Sequence, residues 1–164
     1  MSELNVLNRI VSKLNVLPDS VRGQAISLLI GRTVRYAGTS NIYIEKLTTT
    51  ESIMRLKNKK KVQNHIGSIH AAAMALLAES ATGLLVGMNV PDSSIPVIKT
   101  LHVDYLKRCQ GDIKAIARLT KEQIEQITTT EKGEVTVEIT VTDERGIEPI
   151  RCEMIWAWTS KIRK

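Results

Sequence analysis

Leu4, Leu7, Ile10, Val11 and Leu14 recur at the spacing of one helical face, so an amphipathic helix opens the chain. Pro18 stops it. Asp19 or Ser20 caps a second helix whose apolar positions are Val21, Ala25, Leu28 and Leu29, with Gly31 near its end. The period then changes. Residues 41–47 and 52–56 alternate as strands around a Thr-rich turn. Over about 68–86 nearly every position is small or aliphatic, which predicts a long helix that is apolar all round and therefore buried. The rest alternates again: PVIKTLHVDYLKR, a turn at Gln110-Gly111-Asp112, IKAIARLT, then EVTVEITVTD, a turn at Glu144-Arg145-Gly146, and PIRCEMIWAWTS. These four strands are expected as two hairpins in a meander. The polar connection over 120–132 has room for a helical turn.

Two short helices, a hairpin, one buried helix and four more strands have one economical packing. An antiparallel sheet of about six strands wraps the central helix and buries it, giving an α+β fold. Helices do not alternate with strands, so a parallel doubly wound sheet is excluded. The 164 residues predict one domain, 1–164.

Composition narrows the partners. The net charge of +6 favours an anionic ligand without choosing among nucleic acid, membrane and phosphorylated small molecules. Aromatics are only 3% and Phe is absent, which argues against stacking platforms for single-stranded nucleic acid. No recognised DNA- or RNA-binding motif accompanies the charge. Cys109 and Cys152 have no metal-ligand spacing and read as reduced thiols of a cytoplasmic protein. MSELNVLNRIVSK lacks the continuous apolar core of a signal peptide. Glu79, Ser80 and Thr82 interrupt the longest apolar run, so no membrane span is expected.

Glu79 is the one formally charged residue between His70 and Met88. Burying a lone carboxylate costs several kcal/mol or raises its pKa. Structurally, it could turn outward through a gap in the sheet or pair with a basic residue. Functionally, a desolvated carboxylate suits a general base or nucleophile. His70 and Glu79 are nine residues apart, so they lie half a turn off and ~13 Å apart along an ideal helix. If they are to cooperate, a second copy of the helix must supply one of them, which suggests a two-fold dimer. Near Ala71 and Ala72, the unpaired N–H groups of the first turn could stabilise a carbonyl oxygen that becomes an oxyanion.

The segment NHIGSIHAAAMALLAE resembles the central helix of hotdog-fold thioesterases of the phenylacetate-degradation type. Asn64, Gly67, Ser68, His70 and Glu79 fall in register with their pattern. The longer frame, with GRTVRYAGT and VDYLKRCQGD, resembles a related uncharacterised family of the same fold over about residues 20–160. The resemblance implies a hotdog core over 38–164 with a helical extension over 1–32. It implies an acyl-CoA thioesterase, or one acting on an acyl-carrier thioester, without metal or cofactor beyond the thioester substrate. Glu79 would activate water or attack the carbonyl, and the N–H at Ala71 would polarise that carbonyl from the opposite subunit. Asn64 would orient the water or thioester, and His70 would help hold the loop. Ala71-Ala72 stand where the family often has Gly-Gly, which keeps the N–H but narrows the approach. A homodimer or dimer of dimers is expected, with no nucleic acid and no membrane.

Arg55, Lys57, Lys59, Lys60 and Lys61 form a dense run. It reads either as a solvated, lysine-protected edge strand or as a contact for CoA phosphates, with Lys61 the candidate. Lys107 and Arg108 are similar candidates. Lys99 lies in register with Val97 and Leu101; it snorkels at a strand end, or pairs with Glu79 or a ligand. His102 and Asp104 read as a surface pair, His65 as loop structure, and Trp156 and Trp158 as packing at an edge or between subunits. The rival to an enzyme is a non-catalytic acyl-CoA-binding module on the same fold. A hydratase is a further rival, but the His/Asp pair such an enzyme uses is not evident.

Overall fold

The computed structural model describes residues 4–161. The outermost residues of the expected 1–164 domain therefore lie outside the described residues, as does the start of MSELNVLNRIVSK. Helix α1 spans Val6–Leu14, α2 Asp19–Thr33 and α3 Arg35–Thr39. Strands β1 (Tyr43–Leu47) and β2 (Glu51–Leu56) follow, then a 3₁₀ turn at Lys60–Val62 and the central helix α4, Ala71–Gly87. Strand β3 (Ser94–Tyr105), strand β4 (Ile113–Arg118), helix α5 (Lys121–Thr129), strand β5 (Gly133–Asp143) and strand β6 (Ile150–Ser160) complete the chain. All strands pair antiparallel, in the order β1-β2-β4-β5-β6-β3. The sheet packs on α4, whose Leu77, Ala78, Ala81 and Leu85 are fully buried. This is the hotdog arrangement.

The sheet order corrects one expectation. β3 and β4 are not a hairpin: β3 runs along β6 at the far edge, and β4 sits between β2 and β5. A turn signal such as Gln110-Gly111-Asp112 is local and does not specify the partner of the strand before it. Gly111 adopts φ +68° there, yet residues 106–112 form a crossing held by the Leu106 and Lys107 N–H groups donating to Pro149 O. The second hairpin, β5–β6, forms as expected.

The N-terminal helices bury different residues from those expected. In α2, Gly23, Ile26 and Ile30 are buried, whereas Val21 and Leu28 are exposed. In α1, Asn8 and Val11 are buried. The α1 asparagines have a structural task. Asn5 Nδ2 donates to Gly87 O (2.7 Å) and Val90 O (2.6 Å), and Asn8 Nδ2 donates to Met88 O (3.1 Å). They satisfy carbonyls at and beyond the C-terminal end of α4 that the helix leaves without partners. The polar connection after β4 holds a full helix, α5, opened by a Thr120/Gln123 capping box.

The tryptophans also depart from expectation, since both lie in the core. Trp156 packs against Gly83 of α4, where an added Cβ would come within 2.4 Å of the ring. Its Nε1 donates to Thr82 Oγ1 at 2.9 Å. Trp158 is fully buried and donates to Thr130 O.

Asp143 ties the two loops at one end of the sheet. Its fully buried carboxylate accepts from the backbone N–H groups of Gln110, Arg145 and Ile147 and from the Arg145 guanidinium at 2.7 Å. Burial pushes its pKa up, but Arg145 and the three N–H groups more than offset this and leave it below the ordinary value. A depressed folded pKa contributes stability above the unfolded pKa, and that contribution is lost as pH falls through the folded value. Asp143→Ala is therefore expected to cost about 2–3 kcal/mol at neutral pH, because it strands buried donors. Urea unfolding of wild type and Asp143→Asn between pH 7 and acid should show a shallower pH dependence in the variant.

Candidate active site

The mouth of α4 is built by the loop 63–70. Gln63 and Ile69 form an antiparallel bridge, and the His70 N–H donates to Val62 O at 2.8 Å. Asn64 closes the loop: its Oδ1 accepts from the Ile66 and Ser68 N–H groups, both at 3.1 Å. Its own N–H donates to Ser68 O. Gly67 takes φ +73°, a left-handed conformation that glycine adopts without strain. Ser68 is buried and donates its hydroxyl to Cys109 O at 2.6 Å, which makes it an anchor of the loop. Arg108 donates to Ile66 O at 3.2 Å from the other side.

His70 is the N-cap of α4, so the helix begins at Ala71 and not at Ser68. The His70 Nδ1 accepts from the Ala72 N–H at 3.0 Å, which requires the neutral ring to carry its proton on Nε2. The Ala73 and Met74 N–H groups go to His70 O. The Ala71 N–H has no protein acceptor among the described residues, and Ala71 is exposed. One donor thus remains open at the positive end of a long helix.

Glu79 lies two turns further along, roughly 12 Å from Ala71 on an ideal helix. It belongs to a half-buried stripe with Ala75, Leu76 and Gly83 on a helix otherwise mostly buried. Burial raises its pKa above the ordinary glutamate value, and a long contact from the Ser80 hydroxyl (3.5 Å) opposes this weakly. It has no ion-pair partner among the described residues. Asn64, Gly67, Ser68, His70, Ala71 and Arg108 come together at the mouth, and Glu79 stands apart from them within one chain.

The other cations divide. Lys99 sits at the β-bulge between Ile98 and Thr100 and pairs with Glu134 on the surface, so its pairing with Glu79 is not formed. Lys107 is exposed beside Pro149. Lys61 reaches back to Thr39 O at 2.6 Å. The lysine run is not an edge strand: β2 lies between β1 and β4, and the run continues into the loop beyond it. His102 and Asp104 form the expected surface pair at 3.1 Å.

Sequence reasoning did not single out Tyr105. Its hydroxyl donates to Ala71 O at 2.9 Å and binds the end of β3 to the helix mouth. Nothing in the alternation of β3 distinguishes a tyrosine that reaches a helix from one that faces water.

A sheet wrapped on a single buried helix with an open N-terminal mouth defines a hotdog domain. Residues 22–158 match the family described as a domain of unknown function, DUF4442, and the chain belongs to that family. A Pseudomonas aeruginosa protein of unknown function, called a "Probable Thioesterase", is 26% identical, with a TM-score of 0.75 over 88% of this chain and 97% of its own. A thioesterase from Haemophilus influenzae shares the fold at 12% identity, with a TM-score of 0.64 over 78% of this chain and 85% of its own. A further Pseudomonas aeruginosa thioesterase, solved as a mutant, shares it at 14% identity and a TM-score of 0.67, covering 82% and 94%. No curated protein matches the chain. Among the described residues no helix is long and apolar enough to cross a membrane, and no cluster of His, Cys, Asp and Glu could hold a metal ion.

Proposed function

We propose that the protein is a thioester hydrolase acting on an acyl-CoA or acyl-carrier thioester, assembled as a homodimer or a dimer of dimers in the cytoplasm. The observation that carries this reading is the pairing of a half-buried carboxylate, Glu79, with an unoccupied oxyanion donor, the Ala71 N–H, on one helix but out of mutual reach. The names of the thioesterase neighbours agree with it.

A second copy closes the gap. β3 is a twelve-residue edge strand, and it exposes Val97 (44%), Leu101 (46%) and Tyr105 (51%). A long apolar edge with unpaired backbone groups is a template for another strand. Tyr105 ties that edge to Ala71, so pairing along β3 brings the mouth of one α4 toward the Glu79 stripe of the other. Glu79 then takes a proton from water as the water oxygen adds to the carbonyl carbon, or attacks that carbon itself. The Ala71 N–H of the other subunit holds the negative oxygen. Collapse breaks the C–S bond, and the thiolate takes the proton that Glu79 removed from water. Where Glu79 itself attacks, the acyl anhydride it forms is then hydrolysed by water, which frees the acid and supplies that proton. Asn64 Nδ2, which has no protein acceptor among the described residues, orients the water or thioester, and Gly67 keeps the loop out of the path. Lys61 and Arg108 meet the anionic end of the substrate, with Lys107, Lys99 and Ser68 further from it.

Free thiol released from acyl-CoAs of several chain lengths and aryl types, and from acyl-carrier thioesters, tests the reading, since no turnover across that whole panel would overturn it. The pH profile is a sharper test. Glu79 must be ionised, and burial raises its pKa. Turnover should therefore rise with pH through a midpoint above the ordinary glutamate range. Ser80→Ala removes the one contact that lowers this pKa, so the acid limb of kcat/KM should move further up. A limb that stays in place would separate Glu79 from the titration.

A further inference from the structure

Beyond the helix mouth, the N-terminal helices build a second concave feature. A cavity of about 200 Å³ is lined by Lys57, Lys59 and Lys61 together with Asn41 and Tyr43. Asn41 and Tyr43 also line a groove of about 420 Å³ between α2, α3 and β1, so the two adjoin at these residues and are together called the channel. The groove exists because α2 and α3 cross without side chains: a Cβ on Gly38 would lie 2.3 Å from Gly31 O. Its walls add Leu28, which is 58% exposed, and Gln24 and Arg32.

The charge is one-sided. No carboxylate among the described residues lines either part. Among the described residues Lys57, Lys59 and Lys61 make no ion pair, while Glu45 is already held by Arg55 and Lys114. Asp112 accepts from the N–H of Asn58, the residue between Lys57 and Lys59, at 2.7 Å and offsets part of the charge. At the far end, the side chains of Gln24, Arg32, Asn41 and Tyr43 have no hydrogen-bond partner among the described residues. Lys57 and Lys59 have no side-chain partner among the described residues, and Lys61 keeps donors beyond its 2.6 Å contact with Thr39 O; such ammonium groups suit phosphate. A groove with one exposed leucine, a tyrosine and free amide groups suits a flat polar heterocycle and its sugar. A bare inorganic anion would use only the lysine end, and a helical protein surface would not enter the channel.

We propose that this channel binds a nucleoside phosphate, with phosphates on Lys57, Lys59 and Lys61 and the nucleoside between α2 and α3. The nucleotide comes either from the end of a CoA thioester or from a free nucleotide acting as an effector; only the CoA source rests on the hydrolase reading. For CoA the placement is suitable. Val62, the neighbour of Lys61, is hydrogen-bonded to His70, so the lysine end starts within roughly 10 Å of the helix mouth by strand-pair spacings.

The test is calorimetric titration of the full chain with adenosine 3′,5′-bisphosphate and with inorganic phosphate. Saturable, salt-sensitive nucleotide binding is expected, and it should weaken about tenfold or more in Lys57→Ala/Lys59→Ala, which loses two charge-assisted contacts. The exposed Leu28→Glu variant should weaken it as well, and Lys132→Ala, distant from the channel in sequence, should not. No saturable binding would overturn the proposal. Equal loss in Lys132→Ala would do the same, as would inorganic phosphate binding as tightly as the nucleotide. Two further arms assign the source. A higher KM for acyl-CoA but not acyl-pantetheine in the double lysine variant marks the CoA end; a free nucleotide that changes kcat marks an effector. Nucleotide binding without turnover of any thioester would sink the hydrolase reading and leave the channel standing. Turnover without nucleotide binding would do the reverse.

Discussion

Glu79→Gln is expected to lower kcat by about 10²–10⁴-fold, the range that a positioned general base contributes. The substitution keeps the size and polarity of the side chain and removes only its capacity to take a proton or attack. Folding should not suffer. Among the described residues Glu79 has no salt bridge to lose, and burial already disfavours its charged form, so the neutral amide should leave thermal stability unchanged or slightly raised. Loss of turnover with an unshifted melting temperature would assign Glu79 to the chemistry. Equal turnover in both proteins would remove it from the mechanism. Retained binding of a non-hydrolysable acyl-CoA analogue would show that the site is otherwise whole. A wild-type protein that binds such an analogue tightly without turnover would be the acyl-CoA-binding module.

The second large effect is expected from Ala71→Pro, a substitution that removes one N–H and little else. Position 71 is the first residue of α4, where proline fits because its nitrogen needs no intrahelical acceptor. The residue before it, His70, has φ −63° and ψ 143°, within the extended region that a following proline demands. The protein should therefore fold normally. If the Ala71 N–H is the oxyanion donor, kcat should fall by about 10²–10³-fold, as when one such donor is removed elsewhere. Unchanged kcat would place the oxyanion elsewhere.

Subunit mixing joins the two predictions. Glu79→Gln and Ala71→Pro damage complementary halves of a site shared across a two-fold axis. A mixed dimer holds one intact site, and random exchange makes half of the dimers mixed, so about a quarter of wild-type activity should return. If each site lay within one chain, mixing would restore nothing. The cross-subunit geometry would then be wrong even if both residues were catalytic.

Much of this was legible in the chain. The apolar run around Leu77 and Leu85 could only be a buried helix, because a stretch without a polar face has no stable place in water. Glu79 stood out against that run for the same reason. The loop residues Asn64, Gly67, Ser68 and His70 were legible as a group but not individually. Ser68 turns its hydroxyl into the protein toward Cys109, forty-one residues away in sequence, and no local pattern encodes such a contact. Lys99 pairs with Glu134 because a bulge re-aims it, and strict alternation cannot foresee a bulge. The tryptophans alternate as strand residues at any depth. Only the closeness of Gly83 and Gly133 shows that room was made for them in the core.

The order of the strands was beyond the sequence pattern. Periodicity reports which side of a strand is apolar, and a turn motif reports where the chain bends. Neither reports which strands become neighbours, since that depends on how the whole sheet closes over α4. The sequence by itself determined an α+β domain with a wrapped helix, a carboxylate in that helix and a polar mouth, because burial and helix geometry act locally. Only the tertiary structure decided that β3 is an edge strand, that Tyr105 ties this edge to the mouth, and that the Ala71 N–H has no acceptor among the described residues. It also made a channel from lysines and glycines that lie far apart in the chain. Each of these depends on contacts between distant segments, whose energies are settled together when the core packs.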